Sequence, residues 1–287
     1  MVNFKIMAGM KRFYIIPAIA LAALTSLVSC HKEAEMNSVP AKDGNTFEMT
    51  VYAGSTETKT AFGTNTGDGY PIVWSETGEA IKLVEVLTPG EGDPSYTDYT
   101  STGYTLSNSN AKAIFSMDVT EQTTAGTYDY RALYPATAYK SSNLTHSDIY
   151  FIIPDNQTAT EDSPDPAATV LYAESLGQTE QPHGGIELSF GHLTAYGKMT
   201  VKDVQKAFAD ESETVSSVTI SVPAGGYYYY WTDGTLEAVS NMKKDAVTVK
   251  TDNLDTSGDF VVWFACAPYS LEVEDELTVS VTTDANT

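Results

Sequence analysis

The sequence is poor in cysteine, with only Cys30 and Cys266 in 287 residues. Two cysteines cannot build the disulfide framework that stabilises many small exported domains. Stability must therefore come from a packed core, and the chain is long enough for two ordinary domains or one large one. Cys266 lies in the apolar run 260–268, where a free thiol is expected to pack as a small buried hydrophobe.

Basic residues are also scarce. Lysine and arginine together number 16 against 38 acidic residues, which gives a formal net charge of −22. Such an acidic surface repels phosphate backbones and anionic lipid headgroups, so nucleic-acid binding and membrane binding through a basic patch are excluded. Arginine occurs only at Arg12 and Arg131, so an arginine-specific protease has few sites.

Catalytic and metal-binding motifs are missing. The chain has no Gly-x-Ser-x-Gly elbow and no phosphate-binding loop. Its four histidines have no partners at metal-ligand spacing, and they are His31, His146, His183 and His192. We therefore expect no enzyme, no cofactor and no metal site, and we expect His192 to be a structural histidine bonded to a neighbouring backbone group.

Helical periodicity is nearly absent, whereas alternation with a period of two is common. From Phe47 to Ala53, apolar residues alternate with polar ones, as in a half-buried strand. Many short strands separated by turn signals predict an all-β fold of antiparallel sandwiches. Only Val204 to Glu213 has the pattern of a short helix, and the polar stretch from Thr88 to Asn110 is expected to be a loop or a weakly ordered insert.

The amino-terminal region resembles the leader of a bacterial lipoprotein. Lys11 and Arg12 precede an apolar run that ends in Leu27-Val28-Ser29-Cys30, which is similar to a lipobox. The run is shorter than the roughly 20 apolar residues that a membrane-spanning helix needs. The resemblance implies that residues 1–29 are a cleaved signal peptide and that Cys30 carries fatty acyl chains such as palmitate. The other interpretation is an ordinary signal peptide with a coincidental cysteine.

The rest of the chain is divided by composition. Residues 30–44 are charged or small and predict a lipidated, flexible tether. Glu33 and Glu35 in this tether resemble a surface-export signal, which favours the exterior of the outer membrane over the periplasm. The strand pattern then predicts an N-terminal β-sandwich over residues 45–180 and a C-terminal β-sandwich over residues 181–287.

Several fragments together resemble the fimbrillin family, the pilus and pilus-like surface lipoproteins of certain Gram-negative anaerobes. Their order and spacing behind a lipobox, over about residues 45 to 200, are similar to the family's pattern. The fragments are Thr58-Lys59-Thr60-Ala61-Phe62, Ile72-Val73-Trp74, Gly78-Glu79-Ala80-Ile81, Tyr130-Arg131-Ala132-Leu133-Tyr134-Pro135, Ile153-Pro154-Asp155-Asn156-Gln157 and Leu188-Ser189-Phe190-Gly191-His192-Leu193-Thr194-Ala195.

The resemblance implies two tandem transthyretin-like (Greek-key) β-sandwich domains and assembly by β-strand exchange. In the family, a protease removes the first strand, and a strand of the next subunit fills the groove left behind. The strand to be released here would be 47–53, with Phe47, Met49 and Val51 as the groove fillers. Lys59 stands where the family's cleavage arginine is expected and is the candidate processing site. The family usually has a further apolar strand at its end, so this chain is expected to be truncated or to lack the donor strand.

The predicted function is therefore a lipid-anchored fimbrial or fimbria-like structural and adhesion subunit. Its expected partners are other fimbrial subunits, the membrane, and a host or bacterial surface ligand. Shaft, anchor and tip roles all fit.

The alternative is a glycan-binding outer-membrane lipoprotein. A strand over 227–231 would place Tyr228 and Tyr230 on one face, where their rings could stack on sugars. Ordinary strand packing explains the same pattern, because tyrosine is common in strands.

Overall fold

The computed structural model describes residues 2–5, 45–54, 61–62, 72–74, 80–107, 112–142, 149–158, 160–204, 208, 213–222, 226–230, 236–239, 244–269 and 277–284. Within these ranges the regular elements are 22 strands and two short 3₁₀ turns, Ala136–Ala138 and Pro166–Ala168. The predicted all-β class is therefore confirmed. No helix in this part of the chain has the length and hydropathy needed to cross a membrane.

The strands are numbered in chain order. The first eleven are β1 Val2–Lys5, β2 Thr46–Gly54, β3 Ala61–Phe62, β4 Ile72–Val73, β5 Lys82–Pro89, β6 Ser95–Thr100, β7 Gly103–Ser107, β8 Lys112–Thr120, β9 Gly126–Tyr134, β10 Tyr139–Ser142 and β11 Ile149–Ile153. The other eleven are β12 Asn156–Thr158, β13 Leu171–Gln178, β14 Ile186–Leu188, β15 Gly191–His192, β16 Ala195–Val201, β17 Thr214–Ile220, β18 Gly226–Tyr230, β19 Leu236–Ala238, β20 Val247–Lys250, β21 Phe260–Cys266 and β22 Thr278–Asp284.

Two sheets form the first sandwich. One has the strand order β14-β2-β8-β7, and the other has the order β15-β13-β9-β5-β6. The period of two predicted from the sequence creates their facing surfaces: on β8, Ala113, Phe115, Met117 and Val119 are buried, and the residues between them are not. These side chains join the largest apolar cluster, which lies between the two sheets.

A third layer covers the outer face of the five-stranded sheet. It is the sheet β10-β11-β18-β19. A second apolar cluster joins the two layers and includes Val84 of β5, Leu133 of β9 and Phe151 of β11. Because both faces of β5 are covered, its residues 83–87 are all buried. This continuous burial is typical of a strand inside a three-layer arrangement.

The carboxyl-terminal half builds a separate core. Its sheets have the orders β1-β22-β17-β20-β12 and β16-β21. Their shared cluster is mostly valine and phenylalanine and includes Val218, Val249, Phe260, Val262 and Val281. Cys266 belongs to the same cluster with 3% exposure, and burial raises the pKa of its thiol to about 12. This buried thiol agrees with the expectation from the sequence.

Five strand pairs cross the predicted boundary between residues 180 and 181, and one of them joins β1 to β22. β14 pairs with β2, and β15 pairs with β13. Two strands that precede the boundary likewise pair with strands of the carboxyl-terminal half: β11 pairs with β18, and β12 pairs with β20. The two-domain division stays a prediction. These pairs mean that strands from both halves of the chain are hydrogen-bonded in the same sheets.

The prediction of a loop from Thr88 to Asn110 is wrong. This segment contains β6, which pairs with β5, and β7, which pairs with β8 in the facing sheet. Ser101 and Thr102 carry the chain from one sheet to the other. Both strands lie at sheet edges, where one face meets solvent, so a polar composition is compatible with a strand. Tyr99 is buried, and Tyr104 packs against the core.

The predicted helix from Val204 to Glu213 lies mostly outside the described residues. His192, expected to be structural, has its Nδ1 2.8 Å from the hydroxyl of Tyr196. Their rings meet edge to face with centroids 5.5 Å apart. The histidine therefore joins β15 to the start of β16, where the chain passes from the first sandwich to the second.

Candidate functional site

The candidate site is β2, the predicted exchange strand, and the groove in which it lies. All nine residues of β2 pair with β8 in antiparallel register, from Thr46 opposite Thr120 to Gly54 opposite Lys112. On its other side, β2 pairs in parallel with the three residues of β14. β2 is thus an interior strand of its sheet, hydrogen-bonded on both sides rather than peripheral.

The inner face of β2 is completely covered. Phe47, Met49, Val51 and Ala53 are 2%, 0%, 0% and 1% exposed. Between them, Glu48 is exposed, and Tyr52 has 42% exposure. The three predicted groove fillers therefore do lie in the core, and Ala53 is a fourth residue of the same face.

The buried side chains of β2 become smaller along the strand. Phe47 lies opposite Val119, Met49 opposite Met117, and Val51 opposite Phe115. Ala53 lies opposite Ala113, so both side chains of the pair are small at that end. A strand that replaced β2 in the same direction would need large apolar residues first and a small one last, at every second position.

Residues 181–188, which we call the latch, lie against β2 along most of its length. The ring of His183 packs on Phe47 with centroids 4.3 Å apart. The backbone of Gly185 lies against Thr50 and Tyr52 so closely that a Cβ there would be 2.7 Å from the carbonyl oxygen of Thr50. The latch then continues into β14. Its contacts therefore follow β2 from its first buried residue to its last.

Gln181 anchors the beginning of the latch. It is 5% exposed, and its amide is fully bonded. Its Nε2 donates to the carbonyl oxygen of Thr120 at 2.9 Å and to Glu85 Oε2 at 2.9 Å, and its Oε1 accepts from the backbone N–H of Gln122 at 2.7 Å. One side chain thus joins the latch to the end of β8 and to the facing sheet.

Glu85 is a buried carboxylate on the core side of β5, with 1% exposure. Besides Gln181, it accepts from the hydroxyl of Tyr130 at 2.9 Å and from Gln122 Nε2 at 3.4 Å. Burial and the nearby Glu85 carboxylate raise the pKa of Tyr130 and of Tyr99 above the ordinary value of 10.0. A buried carboxylate is tolerated when several donors satisfy it, as they do here.

Sequence reasoning missed this network, although part of the signal was visible. Glu85 is the only charged residue in the run Leu83-Val84-Glu85-Val86-Leu87, and it occupies a core-facing position of a period-two strand. That pattern indicates a buried acid with partners. It does not identify Gln181, which is 96 positions away.

A second glutamine stabilises the connection to the other sandwich. Gln157, from the family-like fragment 153–157, is 1% exposed. Its Nε2 donates to the carbonyl oxygen of Ala265 at 2.7 Å, and its Oε1 accepts from the N–H of Ala265 at 2.9 Å. The side chain therefore satisfies both backbone groups of one residue of β21, as a neighbouring strand would.

Three further sites were predicted from the sequence, for lipidation, for processing and for glycan binding. Cys30, the lipidation candidate, and Lys59, the processing candidate, lie outside the described residues. Tyr228 and Tyr230, proposed to stack on glycans, lie in β18, which pairs with β11 on one side and with β19 on the other. The backbone of β18 is thus inside a sheet.

Among the described residues, no three His, Cys, Asp or Glu side chains are grouped closely enough to hold a metal ion.

Comparison with known protein families and with curated protein sequences gives no match. Among solved structures, this chain is similar to a "putative cell adhesion protein" from Bacteroides uniformis, with 14% sequence identity and a TM-score of 0.44. The similarity covers 84% of this chain and 80% of that chain.

Proposed function

We propose that this protein is a lipid-anchored fimbrial or fimbria-like structural and adhesion subunit of the cell surface, joined to other subunits by exchange of β2. The observation that carries the proposal is the position of β2. It is a single strand that precedes the other strands of the first sandwich, it pairs with β8 along its whole length and with β14 over residues 51–53, and its inner face is covered. Removal of this strand would leave a groove and two unpaired strand edges without removing any other part of either sheet.

The energetics favour refilling such a groove. Each large apolar side chain that moves from water into a core contributes about 1.5–3 kcal/mol, and β2 supplies Phe47, Met49 and Val51. The exposed edges of β8 and β14 would present free N–H and C=O groups, which attract another strand. An extended segment from a neighbouring subunit satisfies the edges with its backbone and the pockets with alternate side chains.

The processing step would separate β2 from β3. Lys59 is five positions beyond Gly54, the last residue of β2. Arg131 is 5% exposed within β9, so the folded protein presents it poorly to a protease. We propose cleavage by a protease that accepts lysine. The role is structural and needs no catalytic group.

The strand-exchange role predicts that cleavage converts a monomer into an assembly. A cleavage site for a sequence-specific protease, inserted within residues 55–60, should give a monomer before cutting and oligomers after β2 dissociates. Size-exclusion chromatography and an SDS-resistant ladder on gels would measure the change. A synthetic peptide of residues 45–54 in excess should block it, because that peptide refills the groove.

The matched control has the same cleavage site in the exposed turn at 90–93, which joins β5 to β6. Cutting there leaves β2 in place and should leave the protein monomeric. A protein that loses β2 and remains monomeric would contradict strand exchange. If both cut proteins associated equally, the association would be unspecific.

The lipid anchor predicts a single acylated cysteine. In cells fed tritiated palmitate, the wild-type protein should be labelled, and Cys30→Ala should lose the label. Cys266→Ala is the control and should keep it, because a thiol that is 3% exposed is shielded from acylation. Labelling that persists in Cys30→Ala would remove the anchor from the proposal.

A further inference from the structure

We propose that the latch, residues 181–188, controls the release of β2, and that it must detach before the exchange strand can leave. The inference rests on the proposed function, since it concerns the regulation of the same groove. The contacts that carry it come from both ends of the latch and involve both sheets of the first sandwich.

The topology of the sheet determines how β2 can leave. The sheet order is β14-β2-β8-β7, so the latch strand β14 is the edge and β2 is interior. With the latch in place, residues 51–53 of β2 can leave only if their pairs with β8 and β14 break together. With the latch detached, β2 becomes an edge strand, which can separate from β8 gradually from one end. Detachment therefore opens a lower-energy path for release.

Contacts at three places hold the latch against the first sandwich. Gln181 holds one end through hydrogen bonds to Thr120, Gln122 and the buried Glu85. Ile186 and Leu188 hold the other end in the core, with 7% and 1% exposure. Between them, His183 contacts Phe47 through its ring and Glu121 through Nε2 at 3.4 Å. The beginning, the middle and the end of the latch are thus each bound to β2 or to the groove that contains it.

Two consecutive glycines give the latch the backbone freedom to move. Gly185 has φ +106°, in a region that residues with a side chain rarely adopt. Gly184 precedes it, so two consecutive residues have the backbone freedom of a hinge. Water admitted on detachment would solvate Glu85, whose carboxylate loses its Gln181 donor at the same moment. Hydration of that carboxylate lowers the cost of the open state.

The experiment measures how fast β2 dissociates. The protein from residue 30 onward, which lacks β1 and its pairing with β22, carries the protease site within 55–60 and a fluorophore on the amino-terminal side of β2. After cutting, excess unlabelled peptide 45–54 prevents rebinding, and loss of the label from the protein gives the dissociation rate. We expect Gln181→Ala to raise this rate at least tenfold and His183→Ala about threefold. Glu180→Ala, an exposed neighbour, should stay within twofold of the wild-type rate.

A second pair of variants protects the test against misfolding of Gln181→Ala. Gly185→Ala places a Cβ 2.7 Å from the carbonyl oxygen of Thr50 and strains the backbone, so it should also speed dissociation. Gly191→Ala, where the nearest atom would be 4.0 Å away, is the control and should not. Equal rates in Gln181→Ala, Gly185→Ala and their controls would overturn the latch.

This outcome is distinct from failure of the proposed function. The latch is tested by a rate of peptide loss from a monomer, whereas strand exchange is tested by assembly after the loss. Fast release in the latch variants without later assembly would keep the latch and reject strand exchange. Equal release rates followed by assembly would do the reverse.

Discussion

Replacing Trp74 by alanine is expected to lower the free energy of unfolding by about 4 kcal/mol, which is the range for a large buried aromatic residue. Trp74 follows β4 and is 1% exposed between the two sheets of the first sandwich. Its ring meets Phe115, Tyr134 and Phe190 edge to face, with centroid distances of 5.5, 5.4 and 5.8 Å. One side chain therefore connects β8, β9 and the segment after β14.

The matched variant is Trp74→Phe. The indole Nε1 is buried and has no hydrogen-bond partner among the described residues. Phenylalanine removes that donor and keeps an aromatic ring that can pack against the three neighbours, so it should cost less than half as much as alanine. Urea unfolding followed by circular dichroism would measure both changes. Equal losses in the two variants would show that the aromatic contacts contribute little.

Alkaline pH is expected to destabilise the protein steeply. Burial raises the pKa of Cys266 from an ordinary 9.0 to about 12 and raises those of Tyr99 and Tyr130 above 10.0, with the Glu85 carboxylate adding to both tyrosine shifts. In the unfolded chain these groups lose their protons at the ordinary values, whereas in the folded chain they keep them. The unfolded state then binds fewer protons, so stability falls as pH rises.

The pKa shifts determine the pH range in which the free energy of unfolding falls. The stabilisation is fully present below pH 9, where both states are protonated. Above each ordinary pKa, each group lowers the free energy of unfolding by about 1.4 kcal/mol per pH unit until its folded pKa is reached. Urea midpoints from pH 8 to 11 should therefore be constant at first and then fall with increasing slope. A flat profile to pH 11 would contradict the burial of these groups.

The variant Tyr130→Phe tests whether Tyr130 contributes to the loss of stability at alkaline pH. It removes one titrating group, so the slope above pH 10 should decrease by about one proton. At neutral pH the same change removes the donor that lies 2.9 Å from Glu85, and stability should fall there by about 1–3 kcal/mol because a buried carboxylate loses a hydrogen bond. The variant should thus be less stable than the wild type at pH 7, but its stability should depend less on pH above 10.

Local patterns in the sequence predicted the strands better than their arrangement. The alternation from Phe47 to Ala53 was enough to predict β2 and its buried face, because a strand's two faces follow from its own residues. Its neighbours could not be predicted in this way. The pairing of β2 with β14 joins residues more than 130 positions apart, and local periodicity contains no information about such contacts.

The errors have physical causes as well. The segment 88–110 looked like a loop because edge strands need only one apolar face, and its tyrosines and threonines provide that face without a long apolar run. Nothing in the sequence marks the glutamines at 157 and 181 as buried, because glutamine is usually exposed. Both are buried because each amide meets backbone groups that would otherwise lack partners, and those groups lie on distant strands.

The register of β2 on β8 also determines how the protein would respond to pulling. A force applied through the chain before Thr46 and directed along β2 is opposed by nine consecutive residue pairs. Residue pairs loaded parallel to the strands share the force. Residue pairs that are pulled apart from one end break one after another. The protein would therefore resist such a force while β2 is intact and would lose that resistance only when β2 is released.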